Sequence, residues 1–146
     1  MKIFQLLFLG LAALILTSCS SSAKPPDTPA QPNPIAQIQA LPPADTKQIA
    51  RVGNMRNWKN PYLIVRIDGI ALLDPADNEQ KILTPDQVIG ALGALPASAW
   101  PYGRVVAVAE NPVRTDADKA SLRKNRAVLA GALENLHVTI NWVPSS

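Results

Sequence analysis

The chain has 146 residues, with 14 Lys and Arg against 11 Asp and Glu, one Cys, one His and 14 Pro. That length holds one small domain, a single Cys excludes an intramolecular disulfide, and one Cys with one His cannot build a structural zinc site. A net charge of +3 falls short of the dense basic face that nucleic-acid binding needs, so no nucleic-acid partner is expected.

Met1 and Lys2 precede an apolar stretch, residues 3–16, in which Gln5 is the one strongly polar interruption. Its uninterrupted part, residues 6–16, is 11 residues long. A spanning helix needs about 20, so the stretch predicts a secretory signal core. Leu16-Thr17-Ser18-Cys19 follows directly and resembles the lipobox of bacterial lipoproteins. The resemblance implies a signal peptide at residues 1–18, cleavage after Ser18, a diacylglycerol thioether on Cys19 and acylation of the new amine. Two or more acyl chains anchor stably where one does so marginally. The expected first partner is therefore a membrane held through Cys19, and the expected location is the bacterial cell envelope. Ser20, where an inner-membrane lipoprotein tends to carry Asp, points to the outer membrane facing the periplasm in a Gram-negative source. An ordinary signal peptide with a chance Cys, or an uncleaved helix, is the alternative.

Residues 20–43 are mostly Ser, Ala, Pro, Gln, Asn and Thr, with seven prolines from Pro25 to Pro43. Proline removes backbone donors and restricts its predecessor. Residues 19–43 are thus predicted as a lipidated Cys and a disordered, polyproline-II-like tether, rising about 3.1 Å per residue. The tether is either a spacer towards a partner or a linker that keeps the domain clear of lipid. Residues 44–60 read as a short linker helix or an irregular lead-in. Asp45 or Thr46 suits a cap for a helix carrying Ile49, Val52 and Met55, which Gly53, Asn54 and Asn57 oppose. Arg51, Arg56 and Lys59 make this stretch basic.

Residues 61–146 read as a small α/β domain. Residues 62–68 are β-branched and aromatic and predict a strand. Asp68-Gly69 predicts a turn, with residues 70–73 pairing back as a hairpin. Residues 74–78 carry turn chemistry, and residues 80–83 suit a further short strand. Thr84-Pro85-Asp86-Gln87 is a capping-box pattern opening a helix to about Leu95, with Val88, Ile89, Leu92 and Leu95 on one face. Gly90 and Gly93 lower its propensity and permit close packing. Residues 104–110 form a near-continuous apolar run that suits a strand in the sheet centre. Thr115, Asp116 and Asp118 open a longer helix ending near Leu136, with Leu122, Leu129, Ala132, Leu133 and Leu136 inward. Residues 137–143 alternate as a last strand, with Val138, Ile140 and Trp142 towards the core. The order ββαβαβ predicts an α/β (α+β) fold: a small mixed sheet with two helices on one face, its last two strands parallel.

The segments "YLIVRIDG", "TPDQVIGALGAL" and "RVVAVAEN", with a long second helix and a closing strand, resemble the periplasmic domain of the ExbD/TolR biopolymer-transport family. The resemblance spans residues 61–146 and implies architecture alone. That family carries an N-terminal membrane helix with an acidic residue for proton coupling. Here a lipobox stands in its place, and no acidic residue lies in the apolar segment.

The chemistry-bearing residues are sparse. His137 is the one imidazole available to a nucleophile triad, and its position suits a solvated or capping role better. Glu110 and Asp68, both near strand ends, are the one carboxylate pair of interest. Asp74, Asp77 and Asn78 are a faint version of a calcium loop. No Gly-rich phosphate loop is present and no cofactor is expected. The loop aromatics Trp58, Trp100 and Tyr102 suit either binding anchors or plugs at the end of the core. Lys119, Arg123 and Arg126, beside Lys124, form a basic stripe on the second helix. The expectation is a lipid-anchored, non-enzymatic binding or structural module meeting an envelope protein or cell-wall component. Its contacts are placed at Trp100, Tyr102, Lys119, Arg123 and Arg126. The alternative is an envelope enzyme working through carboxylates.

Overall fold

The computed structural model describes residues 32–74 and 79–144. The signal segment, Cys19, the first part of the tether, and Asp77 and Asn78 lie outside the described residues.

The chain enters the described region as a helix. Pro34–Ala40 forms α1, with Asn33 Oδ1 accepting from the Ile35 amide (3.0 Å) and Pro34 in the first turn, where a missing N–H costs nothing. Ile38 is 1% exposed and belongs to the main core. This corrects the disordered tether: its last part, from Pro34, is ordered. The two prolines that follow act as a stop after a short helix. Thr46–Arg51 forms α2, capped by Asp45, and Met55–Asn57 forms a 3-10 turn capped by Asn54.

Strands β1 (Tyr62–Arg66), β2 (Gly69–Leu73), β3 (Gln80–Leu83), β4 (Val105–Glu110) and β5 (Thr139–Trp142) build one mixed sheet of order β3-β2-β1-β4-β5. The first three are antiparallel neighbours, while β4 runs parallel to both β1 and β5. Thus the fold is α/β, and the last two strands are parallel. The ββαβαβ order is one strand short, because β3 pairs with β2 at the sheet edge. The hairpin turn falls at Ile67-Asp68, with Gly69 already opposite Arg66.

Register sorts the side chains. Leu63 and Val65 of β1 stand opposite Leu72 and Ile70 of β2 and, on the other side, Val108 and Glu110 of β4. Leu63, Val65, Ile70 and Val108 of that row share one buried cluster with Val88 and Leu92 of α3 (Gln87–Gly93) and Leu122, Leu129 and Leu133 of α4 (Asp116–Asn135). Both helices therefore cover the same sheet face. The Thr115 hydroxyl accepts from the Asp118 amide (3.1 Å) and starts α4 as the sequence predicts. The capping box of α3 is only half made: the Gln87 side chain accepts from the Thr84 amide (3.0 Å), and helical geometry begins at Gln87 and ends at Gly93.

Two glycines fix how the N-terminal segment docks. A Cβ on Gly93 would overlap Pro34, so α1 sits directly on α3. Gly103, at φ 75°, passes against the carbonyls of Pro42 and Pro43, and a side chain there would collide with both. The Arg104 amide donates to Pro42 O (2.8 Å) and the Asp45 amide to Tyr102 O (2.9 Å). The predicted boundary at residue 61 therefore moves to the start of α1.

Candidate functional site

The short elements between residues 44 and 60 enclose, with Tyr102, an open groove of about 790 Å³. It is assembled from local hydrogen bonds. Asp45 Oδ1 accepts from the amides of Lys47 (3.0 Å) and Gln48 (3.1 Å), and Oδ2 accepts from Gln48 Nε2 (2.9 Å). The Gln48 amide above all holds the Asp45 carboxyl below its ordinary value, with the Gln48 side chain next in weight. Asn54 Oδ1 accepts from the Arg56 amide (2.9 Å) and turns the chain towards Trp58.

Trp58 and Tyr102 meet with ring centroids 5.2 Å apart and planes tilted by 54°. Their polar edges are already engaged: Trp58 Nε1 donates to Pro61 O (3.3 Å) and the Tyr102 hydroxyl to Asn57 O (3.2 Å). Beneath them Asn60, 3% exposed, makes three bonds across the fold. Its Nδ2 donates to the carbonyls of Gly103 and Val105 (both 2.8 Å), and its Oδ1 accepts from the Tyr102 amide (2.9 Å). A buried amide satisfied at both ends fixes its neighbours firmly.

Lys47, Arg51, Arg56 and Lys59 line the groove, with Asp45 the one acid among its walls. Residues 44–60 hold four Lys and Arg against this one Asp, while the other described residues hold eight against eight. The charge excess of the described chain therefore sits at the groove. None of the four cations is in an ion pair among the described residues, whereas Arg66, Lys119 and Arg126 each are.

The expected contact residues separate. Tyr102 lines the groove, but Trp100 does not: it is 3% exposed and packed in the core, where Ile38 belongs to the same cluster. The anchor reading of Trp100 is thus corrected in favour of packing. Trp142 reverses the other way. Expected in the core, it is 39% exposed, at the end of an edge strand, with the Arg126 guanidinium 4.1 Å above its ring. Arg126 also binds Glu110 at 2.6 Å, and Lys119 pairs with Asp116 at 3.0 Å. Arg123 is exposed on α4. The three α4 cations do not line the groove.

Glu110 and Asp68 are each taken by an arginine. Asp68 binds Arg66 through both oxygens (2.9 and 3.2 Å), and that bond is the main cause holding its carboxyl below the ordinary value. His137 is exposed and sits just past α4 with φ 56°. Its amide donates to Glu134 O and the Val138 amide to Leu133 O, which closes the helix end. Among the described residues no group of three or more His, Cys, Asp or Glu is placed to hold a metal ion, and no helix is long and apolar enough to cross a membrane.

Sequence reading marked Arg51, Arg56 and Lys59 as basic but gave them no site, and it missed Lys47 and Asn60. The signal for the cations was present as four positive charges and one negative within a short stretch, but their enclosure depends on Tyr102 arriving from the loop before β4, more than forty positions along the chain. Comparison of the chain with protein-family models, with curated proteins and with solved structures returned no match.

Proposed function

We propose that this chain is a lipid-anchored protein of the bacterial envelope whose α/β domain is a binding module, with the groove over Trp58 and Tyr102 as its contact. The observation that carries the reading is the concentration of four cations, none in an ion pair among the described residues, around an aromatic pair whose polar atoms are bonded to backbone carbonyls. Such walls offer charge and ring surface, which suit recognition of an anion. The anchor rests on Leu16-Thr17-Ser18-Cys19 behind a basic start and an apolar core.

Two measurements test the reading. Wild type should partition into detergent and Cys19→Ala should not; equal partitioning of both removes the anchor. A photo-crosslinking residue at Lys59 should give an adduct in native envelopes that is lost on Arg51→Glu/Arg56→Glu. An adduct indifferent to that reversal places the contact elsewhere.

A further inference from the structure

We infer that the groove takes a phosphorylated sugar, its phosphate between Arg51 and Arg56 and its ring against Trp58 and Tyr102. The inference rests on the domain being a binding module and names the ligand class for that same groove.

Charge comes first. Four cations stand around the groove, and its one carboxylate is already committed to the α2 amides. The local excess is three positive charges. A carboxylate would answer one of them, while a phosphate monoester brings about −1.5 to −2 at neutral pH. Arginine presents a planar fork that meets two phosphate oxygens at once, with lysines adding point charge. Arg51 closes α2 and Arg56 lies in the next turn, so both forks stand on short ordered elements with Lys47 and Lys59 to either side.

The rings decide the rest of the ligand. With the indole N–H and the phenol hydroxyl bonded to backbone carbonyls, the two side chains offer carbon to the groove. Planes tilted by 54° cannot both lie flat on one planar base. A puckered sugar ring, with C–H groups on both faces, touches two tilted planes at once. Gln48 and Asn57 add amide groups suited to sugar hydroxyls, and Val52 adds an apolar side chain to the lining. A volume of about 790 Å³ falls within the usual range for a small-molecule site. A bilayer surface fits less well. Among the described residues, the large apolar side chains that are exposed, Ile35, Ile67, Ile82, Val128 and Trp142, all lie outside the groove. The rings inside it are half-buried, so nothing there projects as interfacial insertion requires.

The test is calorimetric titration of the full chain in nonionic detergent with glucose 6-phosphate, glucose, inorganic phosphate and AMP, and with phosphatidylglycerol-doped micelles. Saturable binding of glucose 6-phosphate, at least tenfold tighter than glucose or inorganic phosphate, is expected. Arg51→Gln/Arg56→Gln should weaken it at least tenfold and Trp58→Ala likewise, with Trp58→Phe, which keeps a ring, intermediate. Arg123→Gln should leave it unchanged, and urea midpoints identify any variant that fails to fold. Preference for AMP, equal binding of inorganic phosphate, binding only to doped micelles, or indifference to the arginine pair would each overturn the inference. If no probe binds while the Lys59 adduct still depends on the arginines, the ligand class is wrong and the binding module stands. Loss of both results removes the two together.

Discussion

At the scale of single residues, two tryptophans have exchanged the roles that their sequence settings suggest. Trp100 lies between loop residues and before Pro101, yet it is enclosed; Trp142 alternates correctly on its strand, yet the sheet ends beside it. Trp100→Ala should therefore cost about 3–5 kcal/mol, as large core deletions do. Trp142→Ala should cost about 1 kcal/mol or less, mainly the loss of its cation–π contact with Arg126. Urea melts of the two variants check the ranking. His137 gives a second test. It holds the left-handed position that glycine usually fills after a helix, where its own amide and that of Val138 close the end of α4. His137→Gly should raise stability by about 1 kcal/mol, since the Cβ strain of that conformation disappears; a lower urea midpoint would show that its side chain matters more than its backbone.

At the scale of elements, α3 carries two glycines with opposite consequences. Nothing lies near a Cβ on Gly90, whereas one on Gly93 meets Pro34. Gly90→Ala should stabilise by about 0.5–1 kcal/mol through helix propensity, and Gly93→Ala should destabilise by displacing α1. Both are read from thermal or urea midpoints. Element α2 depends on one carboxylate. Because hydrogen bonds lower the folded pKa of Asp45, its contribution is complete above the ordinary Asp value and is lost as pH falls through the lower folded value. Helical Cα shifts over residues 46–51 should therefore fade at acid pH in wild type. Asp45→Asn, which still offers an acceptor oxygen, should keep them flat with pH. The periodic elements were legible beforehand because their information is local: the caps Thr115 and Asp45, the leucine stripe of α4, and the apolar run of β4. Helix α1 was not, because its proline-rich context reads as extended and its reason for folding is a partner surface, Gly93 and the core beyond it, sixty residues away in sequence. The error over Trp100 follows from the same gap, since the α1 residue Ile38 belongs to the core that buries it.

At the scale of the whole molecule, the folded unit begins with α1 and includes the lead-in. Ile38→Ala should cost about 2–5 kcal/mol, a loss that a domain starting at residue 61 would not feel, and denaturant melts of the full chain measure it. The groove was legible only in part: Trp58 and Tyr102 stood out as loop aromatics, and the basic lead-in was visible. Nothing local says that residues 58 and 102 touch, because Asn60 makes that junction through bonds to residues more than forty positions away.

The docking of residues 42–45 against the loop at 102–104 has a mechanical side. A pull on the chain from before Pro32 is resisted first by α1, a seven-residue helix held largely by one buried isoleucine and a glycine notch. Once that helix peels away, tension falls on two hydrogen bonds, Arg104 N–H to Pro42 O and Asp45 N–H to Tyr102 O. The second ends on a residue that forms the groove's aromatic wall. Force therefore arrives at the groove before it arrives at β1.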